Sequence, residues 1–483
     1  MRRFLAAAVA VLVLVLGYGV LDVYDVVPGI LTRAAPDSGT VPAASSPTPP
    51  VTAGVPSVVI PTVDSGAQPL VPASAAAPIP SATGVAAALS AVLRQPSLGP
   101  SPGVLVRDAF TGQVLLQKGV DREHVPASTL KLLTALAVNT TLDPLATMPT
   151  TVVQGATAGQ VVLVAGGDTM LAPGKGRPGL VEGRAGLADL AAQVATALQA
   201  SGTSTVSLRL DTTHARGPRY APTWLPADVT AGYTGGVSML GLAGERAVPG
   251  HPAPRDPEAA TAAAFVAALA KQGITARLAP EKTWSTPVAV GAAELGRVES
   301  APIGDVLALA LDESDNALTE GLARQAAVKA GGGTTFAAAV ALVEKVAAAN
   351  GIDLTGSVIK DTSGLSPGQR VSPRVLSDVL QLGADGSVPA MQGTVARLPV
   401  AGLTGTLHDR FTTTATRPVA GIARAKTGTL TGASAMAGTV IDADGRVLSY
   451  VVQADHIPPG VGTLAARATL DRFVAVLATC GCS

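Results

Sequence analysis

Cysteine is nearly missing from this chain. The only two, Cys480 and Cys482, stand one residue apart at the far C-terminus, where they cannot tie distant parts of a fold together. A disulfide framework is excluded, and the pair reads as a mobile tail whose thiols can oxidise. Histidine is scarce as well: His124, His214, His251, His408 and His456 show none of the spacings of a metal site, so neither a metal nor another cofactor is expected. Charge is sparse and balanced, with 34 basic and 34 acidic residues and no run of one sign. Nothing therefore marks a footprint for nucleic acid or anionic lipid. Asparagine occurs only at Asn139, Asn316 and Asn350, which makes its neighbours informative.

What is present is length and apolar content. The chain has 483 residues, 47% of them hydrophobic, enough for several domains with a substantial core. Arg2 and Arg3 precede an uncharged run that ends at Asp22. Such a run is an export signal, long enough to favour an uncleaved anchor over a cleaved signal peptide, and the arginines place the remainder outside the cytoplasm. Residues 1–33 are thus expected to engage the membrane. Residues 34–82 hold eleven prolines and no aromatic, lysine or arginine, the composition of a disordered, extended tether.

Beyond the tether, residues 103–119 alternate apolar and polar positions around a Gly112 turn, a hairpin pattern. A helical run opens at Ser128. Residues 145–285 differ, with short Val-rich strands at 161–164 and 206–210, many Gly and Pro turns and a helix near 187–198, and read as an inserted α/β region. Helical periodicity returns over 303–330 and 336–349, with Gly351 as a stop. Two alternating segments near 435–441 and 447–452 form another hairpin, and a helix over 462–477 closes the chain. The order implies an α+β core, in residues 83–144 and 286–483, interrupted by the 145–285 domain.

Three short clusters carry chemistry. Ser128, Thr129, Leu130 and Lys131 come first; Ser314, Asp315 and Asn316 follow; Lys426, Thr427, Gly428 and Thr429 come last. A serine hydroxyl attacks only when a base removes its proton, and a lysine serves when burial or nearby positive charge lowers its pKa. Residues i and i+3 share a helix face, so Lys131 reaches Ser128 if the serine sits at the helix start. There the helix end also faces developing negative charge. Spacing alone proves little, because Ser357, Val358, Ile359 and Lys360 repeat it in a strand-like setting with no Ser-x-Asn before the Lys-Thr-Gly cluster. Order and company make the first copy informative. Gly364-Leu365-Ser366-Pro367-Gly368 matches a hydrolase elbow in letters, but Pro367 lacks the N–H that its oxyanion hole needs. His124 reads as a loop residue, not a base.

At these clusters the chain resembles the D-alanyl-D-alanine carboxypeptidases and endopeptidases of the class C low-molecular-mass penicillin-binding proteins, whose three motifs they match. The resemblance runs from about residue 84 to the end. It includes Gly166-Gly167-Asp168, the stretches 211–224, 361–366 and 398–407, and the C-terminal hairpin and helix. It implies a penicillin-binding, β-lactamase-like fold, an antiparallel sheet flanked by helices. It further implies Ser128 as nucleophile, Lys131 as general base and Ser314 as proton relay. Asn316 would hold a substrate carbonyl, while Lys426, Thr427, Gly428 and Thr429 would form the strand that receives the terminal carboxylate. Peptidoglycan stem peptides would be the substrates, with some crosslink cleavage, and β-lactam antibiotics would acylate the serine. Asp168 is expected either at the active-site rim, meeting a cationic group of the stem peptide, or in a turn capping backbone N–H groups. Thr169, Met170 and Pro367 depart from the family pattern and leave the preferred third residue of the stem open; Arg370 is a candidate substitute for the missing basic residue.

Two other readings use the same residues. A β-lactamase or esterase on this core conflicts with the long insertion between the first two motifs. A catalytically idle peptidoglycan-binding scaffold conflicts with the presence of every motif residue.

Overall fold

The computed structural model describes residues 73–482; the expected anchor and most of the tether lie outside the described residues. Among the described residues no helix is long and apolar enough to cross a membrane. The strands are β1 (Gly103–Asp108), β2 (Val114–Lys118), β3 (Pro149–Gln154), β4 (Gln160–Val164), β5 (Thr205–Asp211), β6 (Thr275–Leu278), β7 (Glu294–Glu299), β8 (Ala423–Leu430), β9 (Ala433–Ile441) and β10 (Val447–Ala454). The helices are α1 (Ala82–Leu89), α2 (Lys131–Thr141), α3 (Leu187–Ala200), α4 (Pro226–Thr230), α5 (Pro257–Lys271), α6 (Ile303–Asp312), α7 (Asn316–Lys329), α8 (Phe336–Ala349), α9 (Pro373–Ala384), α10 (Pro389–Ala396) and α11 (Thr463–Ala478).

Strands β2, β1, β10, β9 and β8 form, in that order, an antiparallel sheet with β8 at one edge. Apolar side chains leave both of its faces. Val104, Val106, Tyr450 and Val452 bury against Phe473 and Leu470 of α11 and Leu89 of α1. Ala437 and Val451 point the other way, into a core built with Leu132, Leu136, Leu307, Leu322 and Val379. A fully buried aliphatic or aromatic side chain contributes about 1.5–3 kcal/mol, so this two-sided burial dominates the stability of the catalytic layer.

A second, mixed sheet has the order β6-β5-β4-β3-β7. Its β4–β5 and β5–β6 pairs are parallel and its β3 pairs are antiparallel. Its core joins Leu163 and Leu208 to Leu190 of α3, Phe265 of α5, Trp224 and Phe336. Helix α7 touches both layers: Leu318 and Leu322 lie in the first core, while Arg324 Nη2 donates to Pro218 O at 2.5 Å.

Four differences from the sequence reading have local causes. The helical periodicity over 303–330 is two helices, because Ser314 takes φ +60 and Asp315 caps a new helix by accepting from Leu318 N–H at 2.9 Å. The second sheet reaches past residue 285: its edge strand β7 reads Glu-Leu-Gly-Arg-Val-Glu, too charged to announce itself as a buried strand. The tether gives way to fastened chain before Ala82, since Ser74 N–H donates to Gly445 O at 2.9 Å and Arg446 Nη1 donates to Ala77 O at 3.2 Å. Finally, the C-terminal tail is hydrogen-bonded to the body of the fold. Cys480 and Cys482 are disulfide-bonded to each other, and Cys482 O accepts from both N–H and Oγ of Ser81, at 2.8 and 2.9 Å.

Candidate active site

Pro126 leads into a 3-10 turn, Ala127–Leu130, that runs directly into α2. Ala127 has φ +45, an uncommon setting for a residue with a Cβ, and the turn presents Ser128 at the helix entrance. Lys131 follows one turn later and is fully buried. Its Nζ lies 3.0 Å from Ser128 Oγ, 2.5 Å from Asn316 Oδ1 and 2.7 Å from Ser363 O. An ammonium donates to all three. A neutral amine donates two N–H bonds, to Asn316 and Ser363, and offers its lone pair to the Ser128 hydroxyl. Burial pulls the Lys131 pKa down to about 8, against the raising charges of Asp361, Glu320 and Asp315. The lowered pKa makes the neutral amine, the form that can accept a proton, more accessible near neutral pH.

Asn316 opens α7, and its Nδ2 donates to Tyr233 O at 2.7 Å. Ser314, immediately before the Asp315 cap, is half-buried in the turn between α6 and α7.

The Ser363 carbonyl is itself held. Asp361 accepts from Ser363 N–H, Gly364 N–H and Gln369 Nε2 with Oδ1, and from Ser366 N–H and Trp224 Nε1 with Oδ2. Glu320 accepts from Thr362 N–H, Thr362 Oγ1 and Ser363 N–H at 2.6–2.8 Å. Burial, helped by the Asp361 charge, pushes Glu320 up to about 8, although these hydrogen bonds oppose the rise. Two buried acidic side chains, Asp361 and Glu320, thus shape the loop that supports Lys131.

The third cluster lies on edge strand β8. Lys426 is fully buried, with Nζ donating to Thr427 O at 3.0 Å. Burial first, and the Lys131 charge second, hold its pKa well below the usual lysine value. Thr427 Oγ1 donates to Thr406 Oγ1 at 2.8 Å. Gly428 has no room for a side chain: a Cβ there would stand 2.6 Å from Pro126 O and 3.0 Å from Ser128 N. The strand therefore passes directly against the serine turn.

Ser128, Ser314, Asn316, Thr427 and Thr429 line one cleft of about 1010 Å³, shared with Asp228, Tyr233 and Arg246 from the second layer. Lys131 and Lys426 are buried and do not line it. Asp168 does not reach it. It is 1% exposed and accepts from Met170 N–H at 2.8 Å, the turn-capping alternative; burial pushes it up to about 7 against that bond. Four acidic residues line the cleft: Glu182, Glu313 and Asp315, which pair with Arg246, and Asp228, on α4, whose pKa is raised by burial. Arg370 is also outside the cleft lining.

The hydroxyl of neither decoy serine lines the cleft, although Gly364 and Leu365 do. Lys360 Nζ donates to Pro367 O at 2.8 Å and Val358 makes a single bridge to Arg370, with no strand. Ser366 Oγ pairs with Thr223 Oγ1 at 2.6 Å. His124 is buried, its Nδ1 3.2 Å from Asp455 Oδ1. Among the described residues no cluster of three or more His, Cys, Asp or Glu side chains could hold a metal.

Glu320, Trp224 and Arg246 were not singled out from sequence. Glu320 had a signal: it follows Asn316 by four residues on a helix, so the two share a face. Trp224 and Arg246 act across layers, and no local spacing reveals that.

Residues 85–249 and 246–479 match the model of the D-Ala-D-Ala carboxypeptidase 3 (S13) family. The carboxypeptidase DacB of Mycolicibacterium smegmatis is 37% identical over 425 residues, 87% of this chain and 89% of that protein. A D-alanyl-D-alanine carboxypeptidase of Actinomadura sp. is 30% identical over 449 residues, 77% of this chain and 81% of that one. Among solved structures, penicillin binding protein 4 (dacB) from Haemophilus influenzae matches with a TM-score of 0.64 at 19% identity, over 80% of this chain and 97% of that chain, a likeness of fold. With a family model covering most of the sequence and relatives of this identity along most of its length, the chain belongs to the D-Ala-D-Ala carboxypeptidase 3 (S13) family and is a serine-type D-Ala-D-Ala carboxypeptidase.

Proposed function

We propose that Ser128 is the nucleophile that trims the terminal D-alanine from peptidoglycan stem peptides outside the cytoplasm. The observation that carries this reading is the 3.0 Å approach of a desolvated Lys131 amine to Ser128 Oγ at the wall of an open cleft. Neutral Lys131 takes the Ser128 proton as Oγ bonds to the carbonyl carbon between the two D-alanines. Backbone N–H groups of Ser128 and Thr429 receive the oxyanion. Collapse breaks the C–N bond, and the leaving amine gains its proton through Ser314. Asn316 holds a peptide carbonyl, while Lys426, Thr427 and Thr429 receive the terminal carboxylate. Water then hydrolyses the ester and restores Ser128.

A β-lactam follows the first half of this course. Its leaving nitrogen stays attached to the acyl group, so the acyl-enzyme persists and the protein is labelled. The haemophilus neighbour has been solved with a β-lactam bound. The same site accepts a crosslinked peptide in place of the terminal D-alanine, giving endopeptidase activity. Asp228, whose carboxylate faces the cleft without a hydrogen-bond or ion-pair partner among the described residues, receives a cationic side chain of the stem. Residues 1–33 anchor the enzyme to the membrane, with the proline-rich tether as spacer.

Purified enzyme should release D-alanine from a pentapeptide and bind fluorescent penicillin covalently. The Ser128→Ala variant should do neither, and labelling that survived this change would assign the nucleophile elsewhere.

A further inference from the structure

We propose that Arg246 is a positioning residue for Ser314, holding it in its catalytic orientation by gripping the residues on both sides of it. The inference deepens the reading above and rests on Ser314 being the proton relay.

Arg246 follows a short 3-10 turn in the second layer, Ala243–Glu245, and its side chain is 13% exposed. Its Nη1 lies 2.7 Å from Glu313 Oε2 and 2.8 Å from Asp315 Oδ2, and its Nη2 pairs with Glu182. Glu313 and Asp315 flank Ser314. That serine has φ +60, a left-handed conformation that a serine keeps only where its surroundings over-determine it. Backbone bonds from Glu313 N–H to Leu309 O and from Asp315 N–H to Ala310 O fix the path of the chain at the two ends of the turn. The side-chain grip comes from elsewhere in the fold. One planar guanidinium supplies donors in a fixed fork, so a single residue bridges the carboxylates before and after the strained serine.

Asp315 carries two tasks at once. Its Oδ2 meets Arg246, while its Oδ1 caps α7 through Leu318 N–H at 2.9 Å. The clamp therefore ties Ser314 to the helix that starts with Asn316, whose Oδ1 lies against Lys131. Without Arg246, three carboxylates face one another around the turn, and their repulsion pulls Glu313 away from Asp315. The relay serine would then lose its fixed position relative to the leaving amine.

The test is a double-mutant cycle on D-alanine release and on the rate of penicillin acylation. Arg246→Gln should lower kcat and the acylation rate about tenfold to a hundredfold, the scale of a misplaced group, with KM changed less than about twofold. Arg246→Lys, which keeps the charge but not the fork, should recover part of the loss. In a Ser314→Ala background, Arg246→Gln should cost nothing further, because its effect runs through Ser314. An equal loss in both backgrounds, a wild-type kcat, or a change confined to KM would overturn the proposal. A wild-type rate for Ser314→Ala alone would instead remove the relay reading, and the clamp with it. If Arg246→Gln does not fold, Glu313→Gln cuts one arm of the clamp and carries the same cycle, with a smaller loss expected and none in the Ser314→Ala background.

Discussion

The indole N–H of Trp224 donates to Asp361 Oδ2 at 2.8 Å, and Oδ1 of the same carboxylate accepts from Ser363 N–H at 3.1 Å. Ser363 O in turn takes a hydrogen bond from Lys131 Nζ. A residue from the core of the second sheet is thereby three hydrogen bonds from Lys131. The inserted layer is joined to the chemistry, and not merely placed over the cleft.

Trp224→Phe keeps an aromatic ring against Phe336, now 5.3 Å away between centroids, and deletes only the N–H. A lost hydrogen bond to a buried carboxylate costs about 1.5–3 kcal/mol. Denaturant unfolding should report that loss, and penicillin acylation should slow several-fold as the 361–366 loop loosens. Unchanged acylation in a destabilised variant would show that the link is structural alone.

The pH profile follows from Lys131. Its base form is the neutral amine, and its pKa is lowered to about 8, so the protonated, inactive form dominates below that value. Acylation by penicillin should rise about tenfold per pH unit from pH 6 to 7 and level off above pH 8. A rate that is flat over this interval, or falls as pH rises, would exclude Lys131 as the base.

Gly428→Ala places a methyl group against Pro126 O and Ser128 N. Both are backbone atoms and cannot swing aside, so the strand or the serine turn must move. Acylation should fall by about a hundredfold or more, while the near-UV spectrum and melting cooperativity change little. Retention of full labelling would mean that β8 and the turn have slack that their contact distances deny.

Asp228 and Asp168 should separate in a substrate comparison. With a stem peptide bearing a free side-chain amine, Asp228→Asn should raise KM about tenfold, the equivalent of ~1.4 kcal/mol. With an N-acetylated version of that amine, it should change KM little. Asp168→Asn, away from the cleft, should leave both values alone. The reverse pattern would restore Asp168 to the rim.

Motif chemistry was legible because it is local. Ser128 and Lys131 announce a shared helix face, and Phe336–Ala349 ends where Gly351, at φ +75, stops the pattern. Helix α5 was overlooked because its alanine-rich run has little contrast between faces, although Asp256 accepting from Ala259 N–H, with Pro257 and Glu258 behind it, is a good start signal. The direction of a side chain was harder to foresee. Gly166-Gly167-Asp168 says that a turn is present, but close packing of Gly166 against Pro149 O and of Gly167 against Gln325 turns the aspartate inward. Likewise, nothing near Cys482 foretold that Ser81 would secure it. Such outcomes depend on partners outside the local turn, and for Gly167 and Cys482 far along the chain, which no short window of sequence contains.

Strand β1 pairs with β10 across nearly the whole described chain, Val104 opposite Val452, and the turn bearing Ser128 packs on β8, roughly 300 residues downstream. Closure of such remote pairings is slow, and until it happens the β1–β2 hairpin has an open edge able to template aggregation. During synthesis Ser128 and Lys131 emerge roughly 300 residues before the strand they pack beside. The cleft that Ser128, Thr427 and Thr429 line together is therefore completed only after β8 has been made.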